Sequence, residues 1–110
     1  MPDTLREIFR LQKELATSMD LSRYPTSVDE KLSALATALI HEAVELQRLT
    51  SWKWWKRPVP LDEAEVKAEL IDLWHFLVQA CIEVGMTPDE ILKEYSRKNR
   101  INRERQRSGY

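Results

Sequence analysis

Apolar residues along this chain recur at steps of three and four, the spacing of helices that bury one face. No stretch alternates cleanly enough to make a strand. Four segments open with a short polar residue followed three positions later by Glu: Thr4 with Glu7, Ser27 with Glu30, Asp62 with Glu65, and Thr87 with Glu90. In such a capping box the first side chain accepts a hydrogen bond from an otherwise unpaired backbone N–H, and the Glu reaches back to satisfy another. Pro88 follows Thr87 at the first helical position, where its missing N–H costs nothing. The pattern predicts helices over 4–19, 28–50, 62–84 and 88–107. A Ser/Arg/Tyr/Pro loop at 20–26, a Trp- and Pro-rich connection at 51–61 and a turn at Gly85 join them. The expected fold is an all-α four-helix bundle, a single domain over residues 1–110.

Two of these helices carry acids where the core should be. The seam of the second runs Val28, Leu32, Leu35, Leu39, then Leu46 and Leu49, and the slot between Leu39 and Leu46 holds Glu42. Glu45 lies one turn on, nearly on the same face. The third helix is apolar on several sides, from Leu70 to Ile82, so neighbours must cover it. Its polar residues fall at helical spacing as one stripe: Glu69, Asp72, His75 and Gln79. A carboxylate in an apolar seam is costly unless a cation meets it there. Four clustered carboxylates repel one another and hold their protons unless neutralised. An all-oxygen donor set of this kind suits a hard ion, Mg²⁺ or Mn²⁺. An isolated Glu-x-x-Glu pair is ordinarily a solvated helix face. Two pairs set into the seams of consecutive helices leave the magnesium site and the solvated face both open.

Composition changes the picture in a few places. With 43% hydrophobic and 32% charged residues the chain is globular rather than disordered. Its net charge of −1 gives the molecule no general attraction for nucleic acid or acidic membranes. The apolar region around Leu70 to Val84 contains Asp72, His75, Gln79 and Glu83, which fits a buried helix and not a membrane span. Asp3, Arg6 and Glu7 interrupt any signal-peptide core, and the lone Cys81 has no disulfide partner within the chain, so a cytoplasmic location is expected. Lys98, Asn102 and Arg105 are spaced by four and three and share one face of the last helix. Arg97, Lys98, Arg100, Arg103, Arg105 and Arg107 stand there against Glu104, either as a phosphate-binding face or as a solvated helix end. Trp52, Trp54 and Trp55 either wall a nucleotide pocket, with Lys53 reaching a phosphate, or plug the bundle end or a dimer contact. His75 reads as a hydrogen-bonded core histidine, and His41 as a neighbour of the acidic residues or a surface group.

Glu42-x-x-Glu45 followed by Glu69-x-x-Asp72 resembles the acidic motifs of the all-α nucleoside triphosphate pyrophosphatase superfamily, which includes the MazG-like enzymes and the dimeric dUTPases. Within it the chain is most similar to the dimeric dUTPases. Trp52-Lys53-Trp54-Trp55-Lys56 looks like their aromatic–lysine motif, Asp72-Leu73-Trp74-His75-Phe76 like their Asp-x-x-His-Phe element, and residues 95–110 like their C-terminal phosphate-binding helix. The resemblance implies cleavage between the α and β phosphates of dUTP, yielding dUMP and pyrophosphate. It implies Mg²⁺ held by Glu42, Glu45, Glu69 and Asp72, with one of the first pair, Glu42 by preference, orienting or deprotonating the attacking water. Lys98, Asn102 and Arg105 match its triphosphate and sugar contacts, and Gln12 its base-reading glutamine, where the alternative is an exposed side chain. Leu15 is followed by Ala16 where those enzymes often carry an Asn for the uracil edge. The chain is shorter than is common for the family, so a homodimer or homotetramer is expected to complete the pocket.

Three other readings remain in play. One keeps the chemistry and exchanges dUTP for dCTP or a broader set of nucleotides. A di-iron bundle would use Asp72-x-x-His75, but such centres draw Glu-x-x-His from two helices. A non-enzymatic dimerisation module with its basic tail on nucleic acid would leave Glu42 and Asp72 unexplained in their seams.

Overall fold

The computed structural model describes residues 3–109, which form four helices and, among the described residues, no strand: α1 (Thr4–Thr17), α2 (Val28–Arg48), α3 (Glu63–Glu83) and α4 (Pro88–Arg107). Tyr110, which closes the expected tail element, lies outside the described residues together with Met1 and Pro2. Three of the four expected caps form. Ser27 Oγ accepts from Glu30 N at 3.1 Å, Asp62 Oδ1 from Ala64 N and Glu65 N at 3.1 and 3.2 Å, and Thr87 Oγ1 from Glu90 N at 3.2 Å. At α1 the cap is Asp3 rather than Thr4, because the Asp3 carboxylate accepts from both Leu5 N and Arg6 N and leaves Thr4 as the first helical residue.

The first two helices end slightly earlier than their apolar spacing suggests. Thr17 and Ser18 turn their hydroxyls onto the carbonyls of Glu14 and Leu15 at 2.6 and 2.7 Å, capturing acceptors that another helical turn would need. Thr50 does the same to Gln47 at the end of α2. The third helix ends in a Schellman turn. Met86 N donates to Cys81 O at 2.9 Å and Gly85 N to Ile82 O at 3.0 Å, with Gly85 at φ +77, where a Cβ is disfavoured. Thr87 and Pro88 then start the next helix at once, so the chain turns through 103° between α3 and α4.

Lys31 meets Glu83 while Glu42 meets Glu69 and Asp72, so α2 and α3 run antiparallel as the central pair. Packed on α3 through Gln12, the first helix holds the start of α4 by an ion pair from Arg6 to Asp89. The fourth helix packs against α1 alone among the described helices. Swung out in this way it gives the chain a radius of gyration of 17.4 Å, against about 13 Å for a closed domain of this length. The core is correspondingly thin: Phe9, Leu35 and Val78 are its buried apolar residues among those described. No described helix is long and apolar enough to cross a membrane.

Candidate active site

The seam position that holds Glu42 faces α3, and the antiparallel pairing sets it against Glu69 and Asp72, one turn apart. One carboxylate oxygen from each of the three lies within 4.8 Å of the others. The Oε2 atoms of Glu42 and Glu69 are buried without a hydrogen-bond partner, and no ion pair reaches any of the three among the described residues. The Glu42 carboxyl is pushed up to about 7 by loss of hydration, then by the close approach of the Glu69 carboxyl and by the charges of Glu45, Glu69 and Asp72. Buried, partnerless carboxylate oxygens gathered this closely away from water are the donor set a hard divalent cation fits. Mg²⁺ and Mn²⁺ both meet that description. Glu45 stands outside the tight oxygen set, exposed at the surface of α2, yet near enough for its charge to act on Glu42.

Beside the acidic cluster opens a cavity of about 460 Å³ bounded by α1, the 20–26 loop, α2 and α3. Its volume lies in the range of small-molecule pockets. Glu42 and Asp72 stand at one end, Leu15, Leu35 and Phe76 supply apolar wall, and His75, Gln12, Gln79 and Glu83 supply polar groups. Gln12 is buried rather than exposed, at 8%. Its Oε1 lies 2.7 Å from His75 Nδ1 and its Nε2 donates to Gln79 Oε1 at 3.0 Å. His75 is therefore hydrogen-bonded as expected, but it stands exposed rather than in the core.

The remaining expected site residues lie elsewhere in the chain. Trp54 is 85% exposed and packs edge-on against Trp55, while Lys53 sits 5.4 Å over the Trp52 ring and lines a separate hollow in the 51–61 connection. Lys98 lines an open groove between α3 and α4. Asn102 and Arg105 lie further along α4, which does not pack on α2 or α3. Sequence reasoning passed over Glu83, Lys31 and Tyr24. Glu83 continues the polar stripe Asp72, His75, Gln79 by one more turn, and that spacing was its signal. Lys31 and Tyr24 carry none.

The family model described as dUTPase matches residues 4–87. A dCTP pyrophosphatase of Enterobacteria phage T4 is 33% identical over 96 residues, covering 76% of this chain and 56% of the phage protein. A dCTP pyrophosphatase of Enterobacteria phage LZ5 is 39% identical over 71 residues, covering 54% of this chain and 41% of that protein. A DNA replication protein of Enterobacteria phage T4 is 30% identical over an alignment of 86 residues, covering 66% of this chain and 22% of the phage protein. The chain thus spans about half the length of the curated relatives it matches. No solved structure matches.

Proposed function

The chain belongs to the dUTPase family, and on that premise we propose that it is a magnesium-dependent pyrophosphohydrolase of pyrimidine deoxynucleoside triphosphates. The observation that carries the reading is the pair of buried, partnerless carboxylate oxygens on Glu42 and Glu69 beside a nucleoside-sized cavity. Glu42, Glu69 and Asp72, with Glu45 beside them, are the residues that would hold Mg²⁺ (or Mn²⁺), which when bound neutralises the triphosphate. The cavity takes the nucleoside between Leu15, Leu35 and Phe76 and excludes water from the sugar and base. Gln79 lies seven positions beyond Asp72 on α3, about 10 Å along the helix, so it stands at the base end of the cavity when the phosphates meet the acidic cluster. Water attacks the α-phosphorus and the bond from it to the bridging oxygen breaks. The monophosphate and pyrophosphate leave, and the water's proton passes to the Glu42–Glu45 pair, Glu42 by preference. The family description favours dUTP as substrate. The names of two relatives, 33% and 39% identical, favour dCTP as the second reading.

Among the described residues no Lys or Arg lines this cavity to clamp the triphosphate, and α4 carries Lys98, Asn102 and Arg105 away from it. A homodimer or homotetramer, in which α4 of one protomer serves the pocket of another, is the assembly we assign. The free, half-buried Cys81 thiol suits a reducing cytoplasm. Incubation with Mg²⁺ and each of dUTP, dCTP, dTTP, dATP, dGTP and UTP, with pyrophosphate release measured, tests the reading. Cleavage confined to dUTP and dCTP supports it. No release from any of them, with Mg²⁺ or Mn²⁺, overturns it in favour of a non-enzymatic module.

A further inference from the structure

Glu83 ends α3 eleven residues beyond Asp72, about 16 Å along the helix, too far to join the acidic cluster. A carboxylate at a helix C-terminus opposes the macrodipole, and this one is only 14% exposed, so its place needs a cause. Three groups hold it. Lys31 Nζ from α2 lies 3.2 Å from Oε2, while Gln79 Nε2 and the Tyr24 hydroxyl donate to Oε1 at 2.8 and 3.2 Å. Lys31 also stands 5.4 Å over the Tyr24 ring, so the pair is braced from the side. These donors outweigh the upward push of burial and keep the carboxyl below its ordinary range.

A carboxylate can only accept. Gln79 must therefore turn its NH₂ toward Glu83, which leaves its Oε1 to accept from Gln12 Nε2. Gln12 in turn presents Oε1 to His75 Nδ1. One acceptor-only group thus fixes the direction of every proton in the relay His75–Gln12–Gln79–Glu83, whose members all line the cavity. An amide free to flip reads the imino–carbonyl edge of uracil and the ring-nitrogen–amino edge of cytosine equally well, by exchanging its N–H₂ and C=O. A locked amide offers one order of donor and acceptor. The wrong edge then leaves buried polar groups unpaired, a penalty worth roughly tenfold or more in discrimination.

We propose that Glu83, seated by Lys31 and Tyr24, is a positioning residue that sets the base selectivity of this pocket by locking Gln79 and Gln12. The proposal rests on the nucleotide-hydrolysing reading above. Its test is steady-state hydrolysis of dCTP and dUTP with Mg²⁺ by the full chain and by Glu83→Gln, Lys31→Met and Tyr24→Phe. Glu83→Gln keeps the shape and lets the relay run either way. The wild type is expected to prefer one of the two nucleotides by about tenfold or more in kcat/KM. In Glu83→Gln that ratio falls toward one, with the loss carried by KM, and in Lys31→Met, which keeps the acceptor but removes the cation that seats it, the ratio falls part of the way. Tyr24→Phe, which removes a single donor and leaves the fold intact, shows a smaller fall in the same direction. A wild type that cleaves both equally overturns the proposal. So does a set of variants that lose activity toward both nucleotides in equal proportion. A wild type that cleaves no triphosphate removes the functional reading itself, and with it this one.

Discussion

Replacing Trp74 with Ala should split the proposed assembly without unfolding the central helix pair. The chain exposes 9159 Å², whereas a closed monomer of 13.0 kDa exposes about 6,300 Å². The difference, on the order of 2,800 Å², is of the size that permanent interfaces bury. Trp74 lies on the uncovered side of α3, 48% exposed, beside Ile71 and Leu77 at 55% and 47%. About half of a tryptophan's 150–250 Å² is thus still open to a partner, roughly 100 Å². At about 25 cal/mol per Å² that is about 2.5 kcal/mol for each copy. A two-fold interface uses the residue twice, so Trp74→Ala should cost about 5 kcal/mol of association, three to four orders of magnitude in Kd. Sedimentation velocity from about 1 to 100 μM reads this directly. A wild-type chain that sediments as a 13 kDa monomer at every concentration would refute the reasoning, as would a variant whose association is unchanged.

The raised Glu42 carboxyl makes a pH prediction whose sign follows from linkage. Its folded value of about 7 exceeds the ordinary 4.5, so the contribution is intact below 4.5 and lost as pH rises through about 7. In EDTA the melting temperature should therefore fall between pH 5 and 7.5, less so in Glu42→Gln, and Mg²⁺ should restore it at pH 7.5. An identical pH profile in the variant would remove Glu42 as the cause. Asp72→Asn should reduce hydrolysis by about a hundredfold or more while the far-ultraviolet circular dichroism stays helical, and full activity in that variant would sink the metal assignment. Arg105→Ala should weaken triphosphate binding, and an unchanged KM and kcat would take Arg105 out of the site.

Much of the fold was legible because helix starts are local. Ser27, Asp62 and Thr87 cap the helices they were expected to cap, and Asp3 displaced Thr4 only because a carboxylate one residue earlier reaches two N–H groups. Glu42 announced itself by breaking an apolar seam, and the antiparallel pairing of α2 and α3 set it against Glu69 and Asp72. What was not legible depends on distance along the chain. Gln12 and Gln79 are 67 residues apart and Lys31 and Glu83 more than fifty, so periodicity within one helix cannot pair them. Gly85 and Pro88 signal a turn but not its angle, and that angle decides whether Lys98, Asn102 and Arg105 face their own cavity. The Schellman geometry sends them outward, and the remaining apolar face of α3 waits for a neighbour.

Identifying the products tests the central claim most directly. Wild-type protein with Mg²⁺ and either dUTP or dCTP should convert the triphosphate to monophosphate and pyrophosphate in equal amounts, with no diphosphate, when separated by anion exchange. Appearance of diphosphate and inorganic phosphate, or recovery of both nucleotides intact, would contradict the account.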